Sequence, residues 1–314
     1  MIFRAEDAPR GNELLTPKRA RRGEHAIEIG LRVAAVVSVA TTIGIIVALA
    51  GPAYKFFRDV NIVDFFTETK WTPLFSDPEY GVLPLLAATI EVTLIALLIA
   101  VPFGLGTAIY LSEYASRRFR GIVKPAIELL AGIPSVVYGF IALQMLNPLL
   151  RDLWPGDDKP EFQNMLVAGI AMGVMIIPTI ASVAEDAFSA VPASLRDGAY
   201  ALASSKMQVS TRVVFPAAFS GVTAAVVLGV SRAVGETMIV TIAAGLVANK
   251  VEFNPVKAAE TLTAYIAAAG QGDVPVGTTH YNTIFAVGAL LFVLTFLLNA
   301  YSIRLVRKYR EVYE

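Results

Sequence analysis

The sequence predicts an all-α integral membrane protein with six transmembrane helices and both termini in the cytoplasm. Three observations carry this reading: composition, six long apolar runs, and alternation of charge between them. Hydrophobic residues make up 55% of the 314, and the mean hydropathy is +0.61. A soluble domain must interleave apolar with polar residues to keep a wetted surface, and this chain does not.

A helix needs roughly 20 apolar residues to cross the hydrocarbon. Runs near 27–50, 83–110, 127–150, 165–183, 220–247 and 283–305 qualify. Unsatisfied backbone is prohibitive in lipid, so each is expected to be helical, with kinks at Pro84, Pro102, Pro134 and Pro178. The first run is too long for the core of a signal peptide and reads as a retained span.

Orientation follows from Lys and Arg placement. The N-terminal segment (Arg4, Arg10, Lys18, Arg19, Arg21, Arg22), the second loop (Arg117, Arg118, Arg120, Lys124), the fourth loop (Arg196, Lys206, Arg212) and the tail (Arg304, Arg307, Lys308, Arg310) are basic. The other loops are acid-rich, with Asp59, Asp64 and Glu68, then Asp157, Asp158 and Glu161, then Glu252, Glu260 and Asp273. The expected organisation is a cytoplasmic segment 1–26, a first helix and outer loop 27–80, a core 81–305 enclosing a long cytoplasmic loop 185–216, and a tail 306–314.

Composition also excludes. Lys plus Arg (26) equals Asp plus Glu (26), so no basic excess points to nucleic acid. Cysteine is absent, which removes disulfides, thiolate metal sites and cysteine nucleophiles. His25 and His280 lie far apart in sequence, and no metal site follows.

Arg232 and Glu236 are the residues that most need a reason to exist, because they sit one turn apart in the run 220–247. A charge at mid-bilayer costs roughly 2.5–3.5 kcal/mol on the lenient scale. An i,i+4 pair returns only about 0.2–0.5 kcal/mol, and Arg before Glu is the weaker order. Helix stability does not explain them, so a polar pathway or an interhelical clasp is expected. A guanidinium matches phosphate-like oxygens in charge and fork geometry, which makes Arg232 a natural transient oxyanion ligand. Paired with an ionised Glu236, however, it would be neutral. Glu91 is a weaker path candidate, Glu128 sits near a helix end, and Arg32 can snorkel. Gly169-x-x-x-Gly173 fits close helix packing.

The loop 185–216 reads as two short helices. Pro192 opens the first, with Leu195, Ala199 and Leu202 on one stripe. Ser205 and Gln208 fit a capping box for the second, which Pro216 is expected to end.

Within that loop, Asp197-Gly198-Ala199, then Ala203, then Val213-x-Phe215-Pro216 resembles the cytoplasmic signature of binding-protein-dependent ABC importer permeases. The usual form there is Glu-Ala-Ala, three residues, Gly, nine residues, Ile-x-Leu-Pro. The spacing matches throughout and the residue types depart. Ala203 replaces a glycine, so a left-handed turn would carry a Cβ, and a more helical turn is expected. The stretches 127–139 (Ile127 to Gly139) and 231–241 (Ser231 to Thr241), with 80–84 and 95–102, resemble the membrane subunits of phosphate-specific ABC importers. The likeness extends from about Tyr80 to the tail.

That resemblance implies a type I ABC importer permease fold in the bacterial cytoplasmic (inner) membrane. It also implies a heterodimer with a PstA-like permease, an ATPase dimer, and an external phosphate-binding protein, toward which an Ala-rich helix is expected over 255–270. Substrate path residues would be Arg232 and Glu236, with a further Arg from the partner permease. ATPase coupling would fall to Arg196, Asp197, Gly198, Ala199, Ala203 and Pro216. No Gly-x4-Gly-Lys-Ser/Thr loop occurs, so ATP would be bound by the partner subunits, and this chain would hold no cofactor and not be an enzyme by itself. The alternatives are a sulfate- or molybdate-type permease, an ion-coupled secondary transporter using Glu236 or Glu91, and, weakest, a membrane-embedded enzyme.

Overall fold

The computed structural model describes residues 20–308, with side chains described for 25–306. The basic positions Arg4 to Arg19 and Arg310 lie outside the described residues. The chain divides into two units between Gly51 and Pro52. The described part of the first is the N-terminal run of α1 (Ala20–Asp59), where Arg32 pairs with Glu28 one turn back at 2.6 Å.

The second unit continues from the end of α1 through α2 (Ile62–Thr67), α3 (Leu83–Ile109), α4 (Arg117–Ala131), α5 (Ser135–Ile141), α6 (Asn147–Leu153), α7 (Met165–Ser189), α8 (Ala193–Ala201), α9 (Lys206–Val209), α10 (Phe215–Ala217), α11 (Phe219–Val234), α12 (Met238–Ala243), α13 (Leu262–Gln271) and α14 (Thr279–Lys308). Single π turns at Tyr110–Tyr114, Ala142–Leu146 and Ser210–Val214 join neighbouring helices. Among the described residues no strand forms, only one bridge between Trp71 and Tyr80.

Among the described residues, four helices are long and apolar enough to cross a membrane, and six spans result if each of two bent pairs counts as one. The span expected over 127–150, with a kink at Pro134, is one of those pairs. α4 stops at Gly132, and the chain turns 87° into α5–α6. Pro134 is the N-cap of α5 with an extended ψ of 134°, so it divides the span instead of kinking it. Pro102 and Pro178, by contrast, lie inside unbroken helices, and Pro84 sits in the first turn of α3, where its missing N–H costs nothing.

The second bent pair corrects the run 220–247. α10 meets α11 at 74° across Ala218, just beyond the stop expected at Pro216. α11 then ends at Val234, and the chain breaks at Gly235–Thr237 before the short α12. An apolar run alone cannot announce such a break, because neighbouring helices supply the partners that lipid withholds.

The core is the α3–α7 pair. A Cβ on Gly173 would stand 2.9 Å from the carbonyl oxygen of Ala96, and one on Gly169 would stand 2.6 Å from Ile95 Cγ2. The Gly169-x-x-x-Gly173 motif therefore lets two backbones meet, as small residues do where lipid supplies no hydrophobic drive. A second cluster sits on the acid-rich side, where Phe56, Phe65, Trp71, Leu85 and Tyr265 are buried together. Its rings meet edge to face, Trp71 with Tyr265 at 4.9 Å and Phe56 with Phe65 at 5.6 Å.

Candidate functional site

The break after α11 decides how the two intramembrane charges are used. Arg232 lies in the last turn of α11, where exposed carbonyls favour a cation. Glu236 lies beyond the break, and its Oε1 accepts from the N–H groups of Met238 (3.1 Å) and Ile239 (3.3 Å) at the start of α12. Each charge thus complements a helix end. The expected i,i+4 geometry is absent, because residues 235–237 are not helical, and no carboxylate pairs with Arg232 among the described residues.

Arg232 Nη1 instead donates to Thr179 Oγ1 of α7 at 2.8 Å. A guanidinium has five N–H donors, and this contact occupies one of them. Glu236 is also tied through its backbone, its carbonyl accepting from Thr263 Oγ1 at 2.6 Å. Thr261 and Thr263 share a hydrogen bond at 3.2 Å, and Thr89 Oγ1 accepts from the Leu262 N–H at 3.0 Å. A threonine seam therefore locks α13 and the break to α3. Glu91, on α3, keeps one carboxyl oxygen buried without a partner among the described residues.

The helix expected over 255–270 begins at Leu262, and its first turn is buried. Residues 244–261 are loop, pinned where the Glu161 carboxylate accepts from the Ala258 N–H at 2.8 Å.

On the basic side, the loop 185–216 forms the two expected helices. Pro192 is the N-cap of α8, and the Ser205–Gln208 capping box opens α9. Ala203 between them has φ +58°. The turn is left-handed despite the Cβ, which overturns the expectation of a more helical turn. Leu202, whose N–H closes the end of α8, is followed within three residues by the new N-cap Ser205, and only an αL residue reverses the chain that sharply.

Arg196 turns inward. Its Nη2 donates to Glu113 Oε1 (2.9 Å) and to the Phe188 carbonyl (2.7 Å), while Nη1 reaches the Val191 carbonyl (2.5 Å). Lys206 lies over the Tyr114 ring at 4.9 Å. Both cations fasten the loop to the π turn after α3, and Arg196 also to the end of α7. Asp197 and Gly198 face outward, Gly198 with open space around its Cα, and Leu202 and Met207 are exposed beside them. Ala199 packs against the core.

Sequence reasoning passed over Thr179, Glu113 and Glu185. Glu185 is fully buried and paired with Arg120 and with Lys124, at 2.7 Å for the lysine, and Lys124 also reaches Asp186. The signal for Glu185 was an acid at the edge of a basic side. Nothing in the residue order set Thr179 apart from other threonines.

A helical membrane scaffold with broken helices beside an Arg in an apolar run, and a two-helix loop held on the basic side, is the arrangement expected of a permease. Residues 100–311 match the family described as "Binding-protein-dependent transport system inner membrane component", and the chain belongs to that family. It is 37% identical over 265 residues to the probable ABC transporter permease protein YqgH of Bacillus subtilis, covering 84% of each chain. It is 37% identical over 255 residues to the phosphate transport system permease protein PstC of Xylella fastidiosa, covering 74% of this chain and 75% of that one. The PstC of Mesorhizobium japonicum is 31% identical over 317 residues, covering 95% and 94%.

Two solved structures share the fold. The bacterial alginate ABC transporter in complex with its periplasmic protein matches with a TM-score of 0.63 at 14% identity, covering 92% of this chain and 96% of that one. The MetNI methionine ABC transporter matches with a TM-score of 0.53 at 21% identity, covering 74% and 95%. The protein is a multi-pass membrane permease with the ABC importer fold.

Proposed function

We propose that this chain is the PstC-type permease of an ATP-driven importer of inorganic phosphate in the bacterial cytoplasmic membrane. It pairs with a PstA-like permease, receives phosphate from an external binding protein, and docks an ATPase dimer on the loop 185–216 with both termini on that side. ATP binding and hydrolysis belong to the ATPase subunits. The likeness to PstC relatives over most of their length supports the substrate.

The observation that carries the path is the freedom of Arg232. Its guanidinium meets a neutral hydroxyl and Glu236 accepts from backbone N–H groups, so no salt bridge has to be broken, among the described residues, to free the guanidinium. The two charges still sum to zero, so the reading keeps a second positive charge from the partner permease. Phosphate entering the break exchanges water for the guanidinium fork, and an Arg of the partner permease adds the second charge. Thr179 takes the guanidinium back after release.

Arg232→Gln removes the charge and keeps hydrogen-bonding capacity. The complex is expected to assemble at normal yield and to lose ATP-dependent phosphate uptake. Normal phosphate uptake by that variant refutes the path role, and sulfate accepted in preference to phosphate refutes the substrate.

A further inference from the structure

On the acid-rich side, a cleft of about 570 Å³ opens between Trp71–Phe75, residues 246–249 and the outer face of α13 with the turn after it. Its size falls within the range of small-ligand sites. The walls include the rings of Trp71, Phe75 and Tyr265, and the lining holds two acids, Glu260 and Asp273, with no basic residue. Lys250, beside the lining residue Asn249, is turned to Glu252 at 2.9 Å.

Two polar groups in this lining have no partner among the described residues. Glu260 is 8% exposed, its carboxyl finds no hydrogen bond there, and its backbone N–H holds it in place on the Val247 carbonyl at 2.9 Å. Trp71 is 3% exposed, and its indole N–H is likewise unpartnered. The Trp71 N–H is sealed from solvent and the Glu260 carboxyl opens into the cleft, so a cation entering it would meet a carboxyl that no other side chain engages among the described residues. Two acids repel an anion, which separates this cleft from the phosphate path. Aromatic faces attract a cation, and a carboxylate completes its coordination.

We propose that this cleft binds a monovalent organic cation, an alkylammonium or alkylguanidinium head seated at Glu260 with its stem against Trp71, Phe75 and Tyr265. The same chemistry is offered by a free organic amine and by a Lys or Arg side chain of a protein docked on this face. Burial pushes the Glu260 carboxyl up to about 7. A bound cation requires it ionised, so binding strengthens as pH rises through that value. The other titratable groups facing it are Asp273 on the rim and Tyr265, whose hydroxyl is held above its ordinary range by burial, with Tyr80 behind it.

The test is equilibrium dialysis of labelled n-butylguanidinium against the intact complex in lipid nanodiscs. Saturable binding is expected, unaffected by n-pentanol and roughly tenfold stronger at pH 8 than at pH 6, as the ionised fraction of a group titrating near 7 requires. Glu260→Gln is expected to lose binding at least tenfold and Glu260→Asp to keep part of it. Ala268→Phe, which fills the cleft from α13 and leaves the carboxyl in place, is expected to lose it too. Absence of saturable binding, or undiminished binding by the Gln and Phe variants, overturns the proposal. Displacement of the probe by the extracytoplasmic binding protein assigns the cation to a docked side chain, and retention assigns it to a free amine.

Discussion

Arg232 and Thr179 share a 2.8 Å hydrogen bond between the end of α11 and the middle of α7, immediately after Pro178. The contact joins a permanent charge to a neutral acceptor, so it can be broken without separating two ions. An Arg–Glu bridge in its place would need to be pulled apart in a low-dielectric setting at each cycle.

Thr179→Val deletes the acceptor at nearly constant shape. An unpaired donor costs about 1–3 kcal/mol, so the resting state is destabilised relative to the phosphate-bound one. The expected outcome is an apparent KM for uptake changed several-fold with maximal ATPase rate unchanged, and recovery in Thr179→Ser. Unaltered uptake kinetics in the Val variant would show that this hydroxyl does not set the guanidinium's resting place.

Arg196 and Asp197 are neighbours with different tasks. Arg196→Ala removes bonds to Glu113 and to the Phe188 and Val191 carbonyls, leaving a carboxylate whose side chain is 5% exposed with only the Ser112 hydroxyl and no cation among the described residues, and loss of one partner of a buried ion pair costs about 3–5 kcal/mol. Loss of folded protein is expected. Asp197→Lys, on an outward face, should leave folding intact and weaken ATPase pull-down. A stable Arg196→Ala protein that still hydrolyses ATP in step with transport would contradict this division.

Ala203 adopts φ +58° at a cost of roughly 1–2 kcal/mol for an L-residue. Ala203→Gly relieves that strain, and a gain of about 1 kcal/mol is expected, partly offset by glycine's greater freedom in the unfolded chain. Slower hydrogen exchange across 199–209 in the Gly variant would report it, and a Val variant is expected to move the other way.

Glu260 makes stability pH-dependent. Its carboxyl is held near 7 when folded against an ordinary 4.5, so the native state binds the extra proton between these values. Stability is therefore fully present below about 4.5 and is lost as pH rises through about 7, by an amount on the order of 3 kcal/mol. Thermal unfolding of the apo complex at pH 5, 6, 7 and 8 would show the decline, and Glu260→Gln is expected to flatten it.

The residue order by itself determined the features that composition and local rules set. The apolar runs marked the membrane helices, the capping residues Ser205 and Gln208 opened α9, Pro192 opened α8, and Gly169 and Gly173 marked a close helix contact. These are one-dimensional properties, set by hydropathy, backbone donors or the absence of a Cβ. The tertiary structure decided where apolar runs break and whom the charges meet. Gly132–Pro134 interrupts hydrophobic sequence where Pro134 takes an extended backbone, and Gly235–Thr237 does so where Thr263 and Glu236 satisfy freed backbone groups. Arg232 met Thr179, 53 residues away, and Ala203 went left-handed because the reversal between α8 and α9 demanded it. Pairings across helices depend on packing in three dimensions, and nothing local in the order of residues encodes them.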